Sequence, residues 1–434
     1  MPQGLLYDIV QWIANNLIKD PAIIIGIVAL IGLLVQKKGV SDVILGTLKT
    51  IVGYLILQNG SGLLVGAILG LQPIMQAAFG VEAASLGSSA ELTTFITNWG
   101  GFAALVMTIG FLVNLLLARI TPFKFVYLTG HLMWWIALLF CAIFVEAGGP
   151  NVSLPLVLIV SGILCGIYWT LQPAYVQPLM KKIMGHGEIA LGHTSSLNDW
   201  LGGVLGGFFG KPADSTEKLK LPKWMGFFRD VTASVAFLIC LLLVILAIVA
   251  LALGKTGAAT WQDSANYIFN AFKQGLNFSM GITVLLFGVR MVIAEIVPAF
   301  RGFAMKIVPD AKPALDCPVV FDYAPTAVIV GFISATVAFF ILMILFGPIL
   351  KWAVIVPPFV MLFFPGGAGG VFGNATGGTK GAIWGGAICG ILLAVGQAIV
   401  YPMLSATAPE LAVIADPDWY VLVLVFKPLF SLFV

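Results

Sequence analysis

His131, His193 and Asp316 are the residues of this chain whose types and settings fit chemistry best. His131 lies inside the apolar run Phe125–Val145, directly after Gly130. Burying an ionisable side chain in an apolar span costs about 2.5–3.5 kcal/mol on insertion scales, so one that persists there is a functional candidate. Its imidazole can donate to an anionic or polyhydroxy ligand, or bond the carbonyl of a neighbouring helix. A helix break at Gly130 would also free the backbone amides of Leu132, Met133 and Trp134. Trp134 and Trp135 can stack on a small ring, or serve as packing or interfacial aromatics. Asp316, in Ala314-Leu315-Asp316-Cys317-Pro318, can accept bonds from hydroxyls or act as a base toward one. It can equally be a loop carboxylate or a helix cap. Asp322 follows six residues on.

His193 and Thr194 read as ligand contacts ahead of the Gly-rich stretch Leu201–Gly210. His186, Glu188 and His193 fit no helical zinc spacing, so no metal is expected. Five scattered cysteines, Cys141, Cys165, Cys240, Cys317 and Cys389, include no Cys-x-x-Cys pair and exclude a disulfide frame. Arg290 and Glu295, five apart in one apolar run, are expected to pair within the protein in a structural role rather than touch substrate.

The elements that must position these residues follow from composition. The chain has 434 residues, 60% of them hydrophobic. Only 9% are charged, against about 25% in soluble domains. Mean hydropathy is +1.05 and formal net charge +3. A soluble enzyme, a nucleic-acid binder and a disordered chain are excluded. A span takes about 20 apolar residues, and alternating ten-residue strands are absent. The reading is an all-α polytopic membrane protein with about ten or eleven membrane segments, some re-entrant or broken.

Pro21–Gln36 is the first span; no Lys or Arg precedes the first apolar stretch, which begins at Leu5, so no signal peptide is expected. Leu5 to Leu17 reads as an interfacial helix or a lead-in to that span. Polar, Gly-rich interruptions at Asn59–Gly62, Thr129–His131 and Pro365–Gly370 are expected to break helices. In lipid, irregular backbone is tolerated only beside protein or a water-filled cavity. Gln177–Arg229 carries more Lys and Arg than any other connecting stretch and is expected on the cytoplasmic side. Gly46–Gly53 resembles Gly288–Glu295, and Pro122-Phe123 before Gly130 resembles Pro358-Phe359 before Gly366. Two repeats are therefore expected, over about 20–210 and 230–434, or else chance similarity between Gly-rich segments. Gly254-Lys255-Thr256 lacks the first glycine of a Walker A loop, so the chain carries no ATPase of its own. An ion gradient or an external phosphoryl donor drives it, or it is a channel.

The block Gly288-Val-Arg290-Met-Val-Ile-Ala-Glu295, Ala299-Phe300, Ile307-Val-Pro309, Leu315-Asp316-Cys317, Ala324-Pro325 and Gly331-Phe332 resembles the ascorbate-type IIC permease of the bacterial phosphoenolpyruvate-dependent phosphotransferase system. Gly46–Gly53, Thr129-Gly130-His131, Gly192-His193 and Gly370-Val371-Phe372 with Asn374 extend the resemblance over nearly the whole chain. It implies a homodimer in the bacterial inner membrane, each protomer pairing a substrate-holding core domain with a V-shaped dimerisation domain. It also implies phosphorylation of the substrate by a phosphocysteine on a separate IIB protein, itself served by a IIA protein, with neither fused to this single 1–434 domain. No cofactor is implied, and no nucleic acid. By resemblance, substrate contacts fall on His131, Leu132, Met133, Trp134 and Trp135, on His193 and Thr194, on Asp316, and near Ser88-Ser89. Where the family carries a Gln pair after the first His, this chain has Trp135-Ile136. After the second His it has Thr194-Ser195-Ser196 in place of Gln-rich sequence. L-ascorbate is the expected substrate, with a related sugar acid or polyol as the alternative. An ion-coupled secondary transporter is the rival class.

Overall fold

The computed structural model describes residues 21–69, 90–149, 152–218, 231–253, 267–304, 308–353, 355 and 357–432. The amphipathic segment at Leu5–Leu17, Ser88 and Ser89 lie outside them. In chain order the main elements are α1 (Pro21–Val35), α2 (Val40–Leu69), α3 (Ala90–Ile120), β1 (Phe125–Tyr127), α4 (Gly130–Gly148), α5 (Leu154–Met184), β2 (Ala190–Leu191) and α6 (Ser196–Phe209). They continue with α7 (Val231–Ala252), α8 (Tyr267–Ala304), β3 (Lys312–Leu315), a 3-10 turn at Cys317–Tyr323, α9 (Pro325–Ile344), α10 (Phe359–Val400) and α11 (Pro417–Phe430).

The all-α polytopic architecture holds. Among the described residues, six helices are long and apolar enough to cross a membrane. Their outer faces are apolar too: on α5, Ile159, Ile163, Ile167 and Leu171 form an exposed stripe at helical spacing. In a bilayer such a stripe needs no polar cover, since lipid tails are as apolar as leucine. Proline starts α5, α9 and α11, where its missing N–H costs nothing. Gly185, at φ 76°, ends α5 behind Lys181 and Lys182 in the last turn, whose charges favour that helix end.

Two of the expected breaks are not where the glycines are. α2 runs through Asn59–Gly62 without interruption, and Asn59 donates to the carbonyl of Leu55 at 2.8 Å. A helix interior tolerates glycine at about 1 kcal/mol each, and the side chain of Asn59 is satisfied within its own turn. α10 likewise passes through Pro365–Gly370 and breaks later, at Gly378 (φ 58°, ψ −146°). A Cβ at Gly378 would stand 2.4 Å from the carbonyl oxygen of Lys211.

The glycines ahead of Gly378 serve packing. A Cβ on Gly373 would meet Gly381, and one on Gly385 would meet Gly369. The two halves of α10 therefore fold back on each other as a helical hairpin about Gly378. α6 lies alongside the first half in parallel register: Gly202 approaches Gly369, Gly206 Gly373 and Gly210 Gly377. The same separation of 167 residues recurs where Asn198 donates to the carbonyl of Pro365 at 2.8 Å. The hairpin expected at Leu201–Gly210 is instead helix, and the hairpin of α10 turns at Gly378, whose backbone region favours glycine.

α8 packs along α2, α7 and α1, while α3, α4, α5, α6, α9, α10 and α11 form a second, larger group. The two groups touch mainly where α8 meets β3 and the 3-10 turn. Ion pairs hold α8. Arg290 forms a bidentate pair with Asp322 at 2.7 Å, and Lys49 of α2 pairs with Glu295 at 3.4 Å. Arg290 and Glu295 thus pair within the protein, as expected, but not with each other. Five residues at 100° each leave the two side chains on well-separated faces, and each finds a partner across a different groove.

Candidate functional site

Inside the helical shell sits a feature absent from the sequence reading, a three-stranded parallel sheet in the order β1-β3-β2. Phe125 to Tyr127 pair with Lys312 to Ala314, and Ala190-Leu191 with Ala314-Leu315. Strands this short have no legible periodicity. Their outer edges would be left unpaired in an apolar surround, which lipid does not permit. Side chains close them. Asn114 of α3, fully buried, donates to the carbonyl of Phe125 at 3.1 Å and accepts from the amide of Tyr127 at 3.0 Å. Its amide also donates to Thr170 Oγ1 at 2.9 Å. On the other edge, Gln172 donates to the carbonyl of Leu191 at 3.2 Å and Gln177 to that of Ile189 at 3.1 Å. Gly192 leaves β2 so close to β3 that a Cβ there would stand 2.6 Å from the oxygen of Ala314.

Because the strands are parallel, their C-terminal ends open on the same side, and each sequence-derived candidate follows one of them. β1 leads through Thr129 to His131, β2 through Gly192 to His193, and β3 directly to Asp316. Asp316 stands between the two imidazoles. Its Oδ2 is 3.7 Å from His131 Nε2 and its Oδ1 is 3.5 Å from His193 Nε2. Exposure falls along the group, from 45% for the His131 side chain through 21% for Asp316 to 6% for His193. One end is open to an incoming molecule and the other is sealed.

Helix starts reinforce the arrangement. α4 begins at Gly130, the 3-10 turn at Cys317 and α6 at Ser196, each just past a strand end. Their positive dipole ends lie beside the group, which suits an anion. Asp316 caps the 3-10 turn by accepting from the amide of Cys317 at 2.7 Å, so its capping and site roles coincide.

The remaining candidates are placed as follows. The amide of Met133 is engaged by the carbonyl of Thr129 at 3.1 Å, so it is not freed as expected, and Leu132 and Met133 are buried. Trp134 donates from Nε1 to the carbonyl of Gly100 at 3.2 Å. Trp135 sits edge-on to Trp134 at 4.9 Å and 6.0 Å from the ring of Trp419. Thr194 is fully buried and its hydroxyl donates to Asp416. Asp322 belongs to the ion pair with Arg290 rather than to this group. His186 and Glu188 are exposed at the end of α5 and do not join His193.

Among the described residues, His193, Asp316 and Cys317 are the one trio whose ligand-type atoms lie within 4.8 Å of one another. The thiol of Cys317 is fully buried, and Asp316 already serves the Cys317 amide and two imidazoles. We read the trio as a hydrogen-bonded group and not as a metal centre.

The sequence reading missed the floor of the site. Asp199, Asp416 and Asp418 are all buried. Asp418 accepts from Tyr168 at 2.6 Å, from the amide of Leu197 at 2.8 Å and from Ser196. Asp416 Oδ2 lies 4.0 Å from His193 Nδ1. Ser195 Oγ bridges His193 Nδ1 at 2.8 Å and Asp199 Oδ2 at 2.7 Å. The signal was available: acids in apolar sequence, at Asn198-Asp199 and Ala415-Asp416-Pro417-Asp418, carry the same warning as His131.

Comparison with known proteins agrees with this architecture. The family model EIIC-GAT, described as "PTS system sugar-specific permease component", matches residues 16–418. An "Ascorbate-specific PTS system EIIC component" of Mycoplasma pneumoniae is 28% identical over 426 residues, covering 88% of this chain. The chain spans 64% of the length of that relative. With a match that runs from the first span through Asp418, this multi-pass membrane chain belongs to the EIIC-GAT family of phosphotransferase-system sugar permeases.

Proposed function

We propose that the chain binds L-ascorbate, or a close sugar-acid relative, between His131, Asp316 and His193 and moves it across the bacterial inner membrane. The observation that carries this reading is the convergence of three strand ends and three helix starts on that group. Ascorbate is a monoanion at neutral pH. Helix N-termini and imidazole donors match its charged ring, and Asp316 matches its neutral hydroxyls. The ascorbate-specific relative supports the choice of ligand. Trp135 in place of a Gln, and Thr194 turned away onto Asp416, leave fewer polar groups to read the ring, so a related sugar acid or polyol is the alternative.

Coupling is proposed to run through separate IIB and IIA proteins, with transfer to the substrate at the cytoplasmic face. The helix group around α8, set apart from the larger group that holds the site, is consistent with a dimerising unit against which a core domain moves. The two similar Pro-Phe segments, each leading to a helix start at Gly130 or Phe359, support two repeats over about 20–210 and 230–434. Ser88 and Ser89 are kept as proposed contacts.

The deciding experiment is uptake of labelled ascorbate into vesicles carrying the purified chain, with and without IIB and its phosphoryl donors. Accumulation only with the donors supports the reading. Accumulation without them, abolished by a protonophore, favours an ion-coupled transporter. The specific observation behind that second reading is the set of buried carboxylates next to His193.

A further inference from the structure

The hydrogen bonds behind His193 determine where its protons are. Ser195 donates its backbone N–H to His193 Nδ1 at 3.1 Å, so Nδ1 is an acceptor and the ring proton sits on Nε2, facing Asp316 Oδ1. The Ser195 hydroxyl is 2.8 Å from the same Nδ1 and 2.7 Å from Asp199 Oδ2. A hydroxyl has one proton to give. If Asp199 were ionised, Ser195 would donate to it, and Nδ1 would then have to donate to Oγ while already facing the Ser195 N–H. If Asp199 holds a proton, every contact is satisfied in one direction: Asp199 to Ser195 Oγ, Ser195 to His193 Nδ1, His193 Nε2 to Asp316.

Burial argues the same way. Asp199 is fully buried, and its other polar neighbour is the amide of Asn198, at 3.3 Å. No Lys or Arg ion pair is made to it among the described residues. Isolating an ionised carboxylate from water costs far more than keeping it neutral and hydrogen-bonded. The other titratable groups around the chain are Asp416, 4.0 Å from Nδ1 and accepting from Thr194, and Asp316 itself. Beyond them lie His131 across Asp316, Cys317 beside it, and Asp418 with Tyr168 and Tyr175 around Ser196.

We propose that Asp199 is a positioning residue held as a neutral carboxylic acid: through Ser195 it locks His193 in the Nε2–H form and aims that proton at Asp316 and at substrate. The consequence for ascorbate rests on the function proposed above; the protonation pattern does not.

The test is nitrogen NMR of the full chain, labelled with 15N-histidine and reconstituted in lipid, with His193 assigned by difference from His193→Gln. Neutral His193 protonated at Nε2 is expected. Ser195→Ala keeps the backbone N–H toward Nδ1 and loses only the hydroxyl, so it should shift the Nδ1 signal while Nε2–H stays the main form, and lower ascorbate affinity on the order of 10-fold, as loss of a histidine's outer partner does elsewhere. Asp199→Asn keeps a donor toward Ser195 and should preserve both the tautomer and the affinity. Asp199→Ala should behave like Ser195→Ala; if it does not fold, Ser195→Ala and Asp199→Asn still decide. His193 protonated at Nδ1 or at both nitrogens in the parent overturns the proposal, as does an unchanged His193 signal in Ser195→Ala. A parent chain that shows the expected tautomer but fails to bind ascorbate overturns the choice of substrate and leaves Asp199 in its role.

Discussion

His193 Nε2 lies 3.5 Å from Asp316 Oδ1, and the two residues leave neighbouring parallel strands at the same end. The pair is set by backbone pairing and not by flexible side-chain reach. Gly192 N–H donates to the carbonyl of Leu315 at 2.6 Å, immediately before both residues. Whatever perturbs the sheet perturbs the site.

His131→Ala should weaken ascorbate binding without unfolding the protein, because the side chain is the most exposed of the group. Loss of a hydrogen bond to a charged ligand costs roughly 1.5–3 kcal/mol, or about 10- to 150-fold in affinity. Calorimetric titration checks it, and an affinity equal to the parent's would remove His131 from the contacts.

Asp316→Asn should separate binding from phosphorylation. It keeps size and most hydrogen bonding but removes the basicity. If Asp316 assists transfer, the variant binds ascorbate while phosphorylation by IIB slows by about 10²-fold or more. A parallel fall in both would make Asp316 a binding contact, with transfer left to the partner.

Asn114→Ala should destabilise the protein although Asn114 touches no site residue. It strands the carbonyl of Phe125 and the amide of Tyr127 in a dry interior, at about 1–3 kcal/mol for each buried group left unsatisfied. A lowered Tm in detergent, accompanied by weaker ascorbate binding, is the expected result. A Tm equal to the parent's would show that the strand edge finds other partners.

Gly378→Ala should be tolerated poorly. Its backbone region is essentially confined to glycine and costs other residues about 1–3 kcal/mol. The added carbon would also collide with the carbonyls of Lys211 and Asp214. Ala at Gly62, where nothing lies within 4 Å of the added carbon, is the control. Thermal unfolding of the two variants should differ clearly, and equal stability would refute the hairpin turn.

A cysteine at Lys218 should resist an impermeant thiol reagent applied to intact spheroplasts, since the surrounding segment is expected on the cytoplasmic side. The five native cysteines are all buried, so background labelling is low. Glu217 fixes this segment by accepting from Thr326 and Ala327 at the start of α9, at 2.9–3.2 Å. Rapid labelling from outside would invert the topology.

By itself the sequence determined the solvent. Sixty per cent hydrophobic residues in long runs can only be buried in lipid or in one another, and that sets helices, spans and an interior where ionisable groups are rare. It also marked His131, His193 and Asp316, because an ionisable side chain in such a setting is costly enough to stand out. It misplaced two helix breaks, because glycine permits a turn without requiring one. Whether Gly378 or the run at Pro365–Gly370 bends depends on what packs against each, here the Lys211–Asp214 segment and α6. The sheet was decided entirely by tertiary structure. Its strands are too short to be patterned, and they exist because Asn114, Gln172 and Gln177 close edges that the apolar surround would otherwise forbid. Only that pairing brings three separate loops to one end, and only folding places Asp199 behind Ser195, where its proton determines which way His193 points.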